Sequence, residues 1–206
     1  MGTSPCRLVA RHALVTSLVM VVLAGCAPAE DRSFRAMAAD VLRQASTLES
    51  HADAYLADRD HYVAADSVIA RFKVSVAALP APKARDLRYL CLRLVQLGEA
   101  AEDLRGSQRD GAQAAANIPL GRLAGQDPAF MEYMRYHGAR QATFWKALGV
   151  VAAAEHVILG TSRLEDQARA RWIGLPGDST SNYGRESDSS LVATEKIVRR
   201  DIARIK

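Results

Sequence analysis

Three polar residues on an otherwise apolar helix face are the first candidates for chemistry in this chain. His137, Gln141 and Glu155 fall on a repeat of three- and four-residue steps that runs from Phe130 to Ile158. Such a repeat predicts one buried helical face, and a polar group buried without a partner costs about 1–3 kcal/mol. Two interpretations follow. Either the three side chains form a polar pocket that binds a small ligand or metal or supports catalysis, or they hydrogen-bond to partner groups or lie where the stripe drifts to the surface.

The other histidines and a serine motif are weaker candidates. Asp58 and His61 are three residues apart and share a helical face, but a metal site in a bundle needs matching ligands from facing helices. The segment Gly177–Thr180 resembles the Gly-Asp-Ser motif of a lipase and esterase family, yet no histidine follows it to act as the base. We therefore predict no enzyme activity, no metal and no cofactor.

An apolar run near the N-terminus indicates export. Ala13–Ala24 is free of charge and follows the basic residues Arg7 and Arg11. Twelve helical residues cover about 18 Å, whereas the hydrocarbon layer of a bilayer is about 30 Å thick. The run is therefore typical of a secretory signal peptide rather than a membrane span.

The segment that ends this run, Leu23-Ala24-Gly25-Cys26, resembles the lipobox of bacterial lipoproteins. The resemblance implies that residues 1–25 are removed and that Cys26 carries acyl chains such as palmitate. More than one acyl chain gives durable membrane attachment. Ala27 stands where an aspartate favours inner-membrane retention in enterobacterial lipoproteins, so the outer membrane, facing the periplasm, is expected. The alternative is ordinary secretion with cleavage after Ala27-Pro28-Ala29.

Composition excludes several classes of protein. Without residues 1–25 the chain holds 25 Lys and Arg against 23 Asp and Glu, so its charge gives no reason to expect nucleic acid as a partner. Cys91 is then the one cysteine that is neither removed nor lipidated, which leaves no intramolecular disulfide. Alanine supplies 37 of the 206 residues, and β-branched alternation is nearly absent. These features predict closely packed helices.

The elements that must position these residues follow from the periodicity. One helix over 31–79, or two separated by a kink near residue 60, ends at Pro80. Another runs from Pro82 to Gly106 and is followed by a looser segment to residue 126. Asp127-Pro128 predicts the start of the next helix and Gly160 its end. Ser162–Glu165 has the spacing of a capping box and opens a short helix to Ile173.

These elements predict an all-α fold, an antiparallel bundle of four or five helices. We assign residues 26–32 to a short tether, 33–173 to the bundle, 174–190 to a flexible linker and 191–206 to a basic amphipathic tail helix. The tail either docks on the bundle or binds anionic lipid or a protein partner. The terminal Lys206 resembles the lysine that joins the murein lipoprotein to peptidoglycan, which implies a possible tether.

The function expected from these features is binding at the bacterial cell envelope. A lipid anchor at Cys26 would provide the membrane contact, and the helices would present faces to a periplasmic protein of unknown identity as a scaffold or accessory subunit. The alternatives are the ligand, metal or catalytic pocket around His137, Gln141 and Glu155, and the peptidoglycan tether through Lys206.

Overall fold

A computed structural model describes residues 27–52, 59–118, 127–164 and 183–205, and side-chain surroundings for all of these except 49–64 and 183–191. Cys26, the serine motif at 177–180 and Lys206 lie outside the described residues. The described elements are five helices: α1 (Ala29–Ala52), α2 (Arg59–Ala77), α3 (Arg85–Ala116), α4 (Pro128–Leu159) and α5 (Tyr183–Arg204). The predicted all-α fold is confirmed.

Helix α3 is the centre of the bundle, and each of the other four helices packs against it. Arg105 of α3 meets Asp66 of α2, and Ser107 of α3 meets His137 of α4. Both α2 and α4 run antiparallel to α3. Near the other end of α3, Arg35 of α1 pairs with Asp86, so α1 and α3 start at the same end of the bundle.

The helices bury one continuous apolar core. Its side chains come from all five helices because each contributes one stripe at three- and four-residue spacing. Asp31 on α1 is also buried, and its carboxylate accepts hydrogen bonds from the backbone N–H groups of Lys83 (2.6 Å) and Ala84 (3.2 Å). The largest apolar and aromatic core side chains are Tyr89, Phe34, Phe72, Phe144, Leu42, Leu48, Leu87, Leu90, Leu94, Leu97 and Leu104.

Both predicted boundaries of α4 are confirmed. The Asp127 carboxylate accepts hydrogen bonds from the backbone N–H groups of Ala129 and Phe130, each at 3.0 Å, and Pro128 lies in the first turn. Gly160 ends the helix with φ of 68°, and its N–H donates to the His156 carbonyl. The left-handed conformation explains why glycine occupies this position.

One predicted boundary is wrong, and one of two alternatives is excluded. Helix α3 does not stop at Gly106 but continues to Ala116, because Ser107, Gln108 and Gly111 are buried against its neighbours. Burial of this extra face outweighs the roughly 1 kcal/mol cost of a glycine in a helix. Of the two alternatives for 31–79, the continuous helix is wrong and the division near residue 60 is confirmed, with α1 and α2 packed side by side. The periodicity continues across residue 58 because both helices bury one face in the same core.

The predicted linker is also corrected. Helix α5 begins at Tyr183, so residues 183–190 are helical although their composition favours a loop. Helix propagation is cooperative, and α5 is anchored further along by the fully buried Val198. The predicted tail is therefore the fifth helix of the bundle. The predicted tether likewise ends at Pro28, because α1 begins at Ala29.

Candidate functional site

Glu155 organises the turn that follows α4. Its side chain is fully buried (0% exposed). One carboxylate oxygen accepts from the Thr161 hydroxyl at 2.8 Å and from the Arg163 N–H at 3.2 Å, and the other accepts from the Leu164 N–H at 3.2 Å. These donors lie just after Gly160, where the chain leaves the helix. The carboxylate therefore binds the returning backbone in the way a capping residue does.

His137 binds the neighbouring helix. Its Nδ1 lies 3.0 Å from the Ser107 Oγ, and that hydroxyl donates to the Leu104 carbonyl at 2.7 Å. Which of the two groups donates depends on the histidine tautomer; the Nδ1–H tautomer of His137 is the one compatible with a Ser107 hydroxyl that donates to Leu104. The pair joins α3 to α4 at a half-buried position.

An aromatic contact continues this junction toward the start of α4. The Tyr133 ring lies 5.4 Å from the His137 ring, between centroids, and 5.8 Å from the Phe130 ring. Tyr133 also lies directly on Gly111 of α3, where an added Cβ would overlap the phenol. Glycine at position 111 is therefore required by the close approach of the ring.

The three residues predicted to share a pocket do not meet in one cavity. His137 and Gln141 are one helical turn apart, but Glu155 follows His137 by 18 residues on the same helix. At 1.5 Å per residue this separation is about 27 Å. Each group has a different hydrogen-bond partner: His137 contacts Ser107, and Glu155 accepts hydrogen bonds from the turn after Gly160. Of the three, only Glu155 is buried, whereas His137 and Gln141 are half-buried. Local hydrogen bonds account for His137 and Glu155.

A small cleft does open beside Glu155, between α1 and the end of α4. Its volume is about 220 Å³, and Arg35, Leu42 and Arg163 are among its lining residues. Arg35 donates to the Ile158 carbonyl at 3.3 Å and pairs with Asp86 at 3.7 Å. The cleft is therefore bounded by groups that hold α1, α3 and α4 together.

The described residues contain no cluster of three or more His, Cys, Asp or Glu side chains arranged to bind a metal ion. The side chains of Asp58 and His61 fall outside the described part. Cys91 is half-buried with a free thiol, and burial raises its pKa above the usual value. A raised pKa lowers the thiolate fraction, which is the reactive form.

An ion pair with one buried partner, which the sequence did not reveal, joins α2 to α3. Arg105 is 2% exposed, and its Nε donates to the Asp66 carboxylate at 2.7 Å, while Arg109 reaches the same oxygen at 2.8 Å. Burial raises the pKa of Asp66, but the hydrogen bonds from Arg105 and Arg109 outweigh it and hold the pKa below its usual value. The sequence did not predict the burial of Arg105, because its neighbours Leu104 and Gln108 show no pattern that marks a buried arginine.

The first half of α4 has a second apolar face, which points away from α3. We call Met131, Met134, Gly138 and Ala142 the α4 outer face; all four are exposed, the two methionines by 51% and 48%. A Cβ added at Gly138 would meet open space. Exposed apolar residues at helical spacing are typical of surfaces that bind other molecules. The sequence placed Met134 on the stripe from Phe130 to Ile158 that was predicted to be buried. This placement is wrong: the side chain is 48% exposed, and the fully buried residues of α4 begin at Phe144.

Helix α4 is also the one helix of the described part that is long and apolar enough to cross a membrane, by length and composition. Its most apolar 18-residue window is 39% buried inside the bundle. The core helix of a water-soluble domain meets the same criterion.

Comparison with known proteins gives no relatives from which to infer a function. No family model matches the chain, and neither the curated proteins nor the solved structures provide a significant match. The function must therefore be argued from the residues themselves.

Proposed function

We propose that the protein is a bacterial envelope lipoprotein that works by binding: a helical scaffold or accessory subunit held at a membrane through acylated Cys26. The observation that carries this proposal is the sequence Leu23-Ala24-Gly25-Cys26 at the end of a basic and then apolar leader. Removal of such a leader would place the lipidated cysteine three residues before α1 begins at Ala29. The bundle would then lie close to the membrane surface.

The α4 outer face is the surface we assign to partner binding. Met131 and Met134 are unbranched and polarisable, so they adapt to partners of different shape. The face spans twelve residues, and its first and last Cα atoms are separated by about 17 Å along the helix axis. The buried polar residues of the bundle do not support a competing ligand pocket, because His137 and Glu155 are separated along α4 and each is hydrogen-bonded locally. The expected site of action is the periplasmic side of the outer membrane.

Replacement of the anchoring cysteine tests the location. We expect Cys26→Ser to abolish incorporation of labelled palmitate and to prevent removal of the leader, whereas Cys91→Ser leaves both unchanged. Intact mass and palmitate labelling of the membrane fraction provide the readout. A Cys26→Ser chain that is still acylated and cleaved would overturn the lipoprotein assignment.

A photo-crosslinking experiment tests the binding role. A benzophenone amino acid at Met134 in living cells should give discrete higher-mass adducts, and a second change, Met131→Asp, should remove them. Val74 on α2 is 69% exposed and provides the matched control position. Equal labelling from positions 74 and 134 would contradict the assignment of the α4 outer face.

A further inference from the structure

Helix α5 separates its charges between two sides. Its two acidic side chains after residue 191 face the bundle: Glu195 lies 2.5 Å from Nδ1 of His156, and Asp201 lies 3.7 Å from Arg93. The buried Val198 lies between them on the same side. The cationic side chains of this part of the helix are all exposed: Lys196, Arg199, Arg200 and Arg204.

These cations form a surface with few internal partners. Lys196, Arg199 and Arg204 have no acidic partner among the described residues, and Arg200 contacts only the adjacent Asp201, at 3.3 Å. Two aliphatic side chains are exposed beside them, Val192 (52%) and Ile197 (44%). We call these six residues the α5 basic face. Cations interleaved with exposed aliphatic residues on a helix are typical of helices that lie on a membrane surface.

The α5 basic face lies at the end of the bundle where the described chain begins. Asp201 meets Arg93, which follows the α3 start at Arg85 by eight residues, or about 12 Å along the axis. The α1 start is at the same level, because Asp31 binds the backbone N–H groups of Lys83 and Ala84. This end is itself basic, with five cations against three acids in residues 30–35 and 83–88.

We infer that the α5 basic face binds the anionic phospholipid surface of the membrane to which the protein is attached, and so fixes the orientation of the bundle. This inference rests on the proposed lipid anchor, because the anchor makes binding by α5 intramolecular and raises its effective concentration. Each Lys or Arg near an anionic membrane surface adds to the electrostatic attraction. Four such residues, held close to the anchored end, are sufficient to keep α5 at the headgroups once the anchor is in place.

Amide hydrogen exchange on the full lipidated protein tests this inference. The protein is reconstituted into vesicles of phosphatidylcholine alone or with about 30% phosphatidylglycerol. We expect exchange in residues 192–205 to slow at least about fivefold on the anionic vesicles, and this protection to disappear in about 0.5 M NaCl, where charges are strongly screened.

Two charge-matched variants separate a local effect from a net-charge effect. Lys196→Glu, Arg199→Glu and Arg204→Glu together should abolish the lipid-dependent protection. Arg71→Glu, Arg135→Glu and Lys146→Glu change the net charge equally at exposed positions outside α5 and should retain it. Each variant is compared with itself on phosphatidylcholine, so a general loosening of α5 is recognised separately.

Other outcomes overturn the inference. Equal exchange on both lipids, or protection that survives salt, would exclude electrostatic binding to the headgroups. If soluble poly-glutamate, added to the protein on phosphatidylcholine vesicles, slowed exchange in residues 192–205 more than anionic lipid does, the α5 basic face would instead be a binding site for an acidic protein. Flotation of the protein with phosphatidylcholine vesicles in high salt measures attachment through the lipid anchor alone, because electrostatic binding by α5 is then screened. Its failure would therefore contradict the proposed function and not the role of α5.

Discussion

Replacement of Glu155 by glutamine gives a direct test of the role assigned to this buried carboxylate. The amide keeps one acceptor oxygen but places an NH₂ group where the second oxygen accepts a backbone N–H. Hydrogen bonds to charged groups are worth about 1.5–3 kcal/mol, and a buried donor left unsatisfied costs about 1–3 kcal/mol. We therefore expect Glu155→Gln to lower the free energy of unfolding by about 2–4 kcal/mol.

Urea and thermal unfolding followed by circular dichroism measure this change. For a chain of this size, 1 kcal/mol shifts Tm by roughly 2–4 °C, so the expected loss is about 4–16 °C. Thr161→Val removes only one of the three donors and should cost about 1 kcal/mol. Because Thr161 and Glu155 are in contact, the double variant should be less destabilised than the sum of the single variants.

Glu132→Gln is the matched control, because Glu132 is an exposed acid on the same helix. Its effect should stay within about 0.5 kcal/mol. If Glu155→Gln were equally mild, or stabilising as replacements of functional residues can be, the capping role would be refuted. The ligand-pocket hypothesis would then regain support.

Two further predictions concern the contacts of α3. The Cβ added by Gly111→Ala overlaps the Tyr133 ring at a cost of about 1–3 kcal/mol, partly offset by the roughly 1 kcal/mol gained when alanine replaces a helical glycine. The variant should therefore lose up to about 2 kcal/mol in urea unfolding, and in a Tyr133→Ala background the same change should become stabilising. Asp66→Asn should cost about 1–2 kcal/mol at pH 7, less than the 3–5 kcal/mol typical of a broken buried pair, because Asp66 is 44% exposed. The folded-state pKa of Asp66 is lowered, so its contribution is present above the unfolded pKa near 3.9 and is lost as pH falls below it. The difference from wild type should therefore narrow as the pH falls below about 4; a difference independent of pH would contradict the ion-pair assignment.

The boundaries that the sequence predicted correctly are those set by local chemistry. Asp127 caps α4 because its carboxylate reaches the next N–H groups, and Gly160 ends the helix because glycine adopts positive φ without strain. Both effects involve neighbours within a few residues. The boundary predicted at Gly106 was wrong. Whether α3 continues past this residue depends on contacts with α2 and α4, which come from distant parts of the chain.

The candidate site likewise has features that local sequence predicts and features that depend on distant parts of the chain. The sequence correctly marked Glu155 as a polar residue on a buried stripe, but the turn that satisfies it depends on how the chain returns after Gly160. Arg105 could not be recognised as buried, because its burial requires Asp66 from another helix. Met134 lies on the same predicted stripe as Glu155 but is 48% exposed, because burial is decided by which helices pack beside each position.

By itself, the sequence determined that this chain forms helices, where α4 starts and ends, and which stripe of each helix is apolar. These features depend on backbone geometry and on side chains within one or two turns, so spacing alone determines them. Only the tertiary structure decided that His137 and Glu155 bind different neighbours, that α5 turns its acids inward and its cations outward, and that α3 continues past Gly106. Each of these depends on contacts between residues far apart in the chain, whose free energy exceeds the local preferences that the sequence displays.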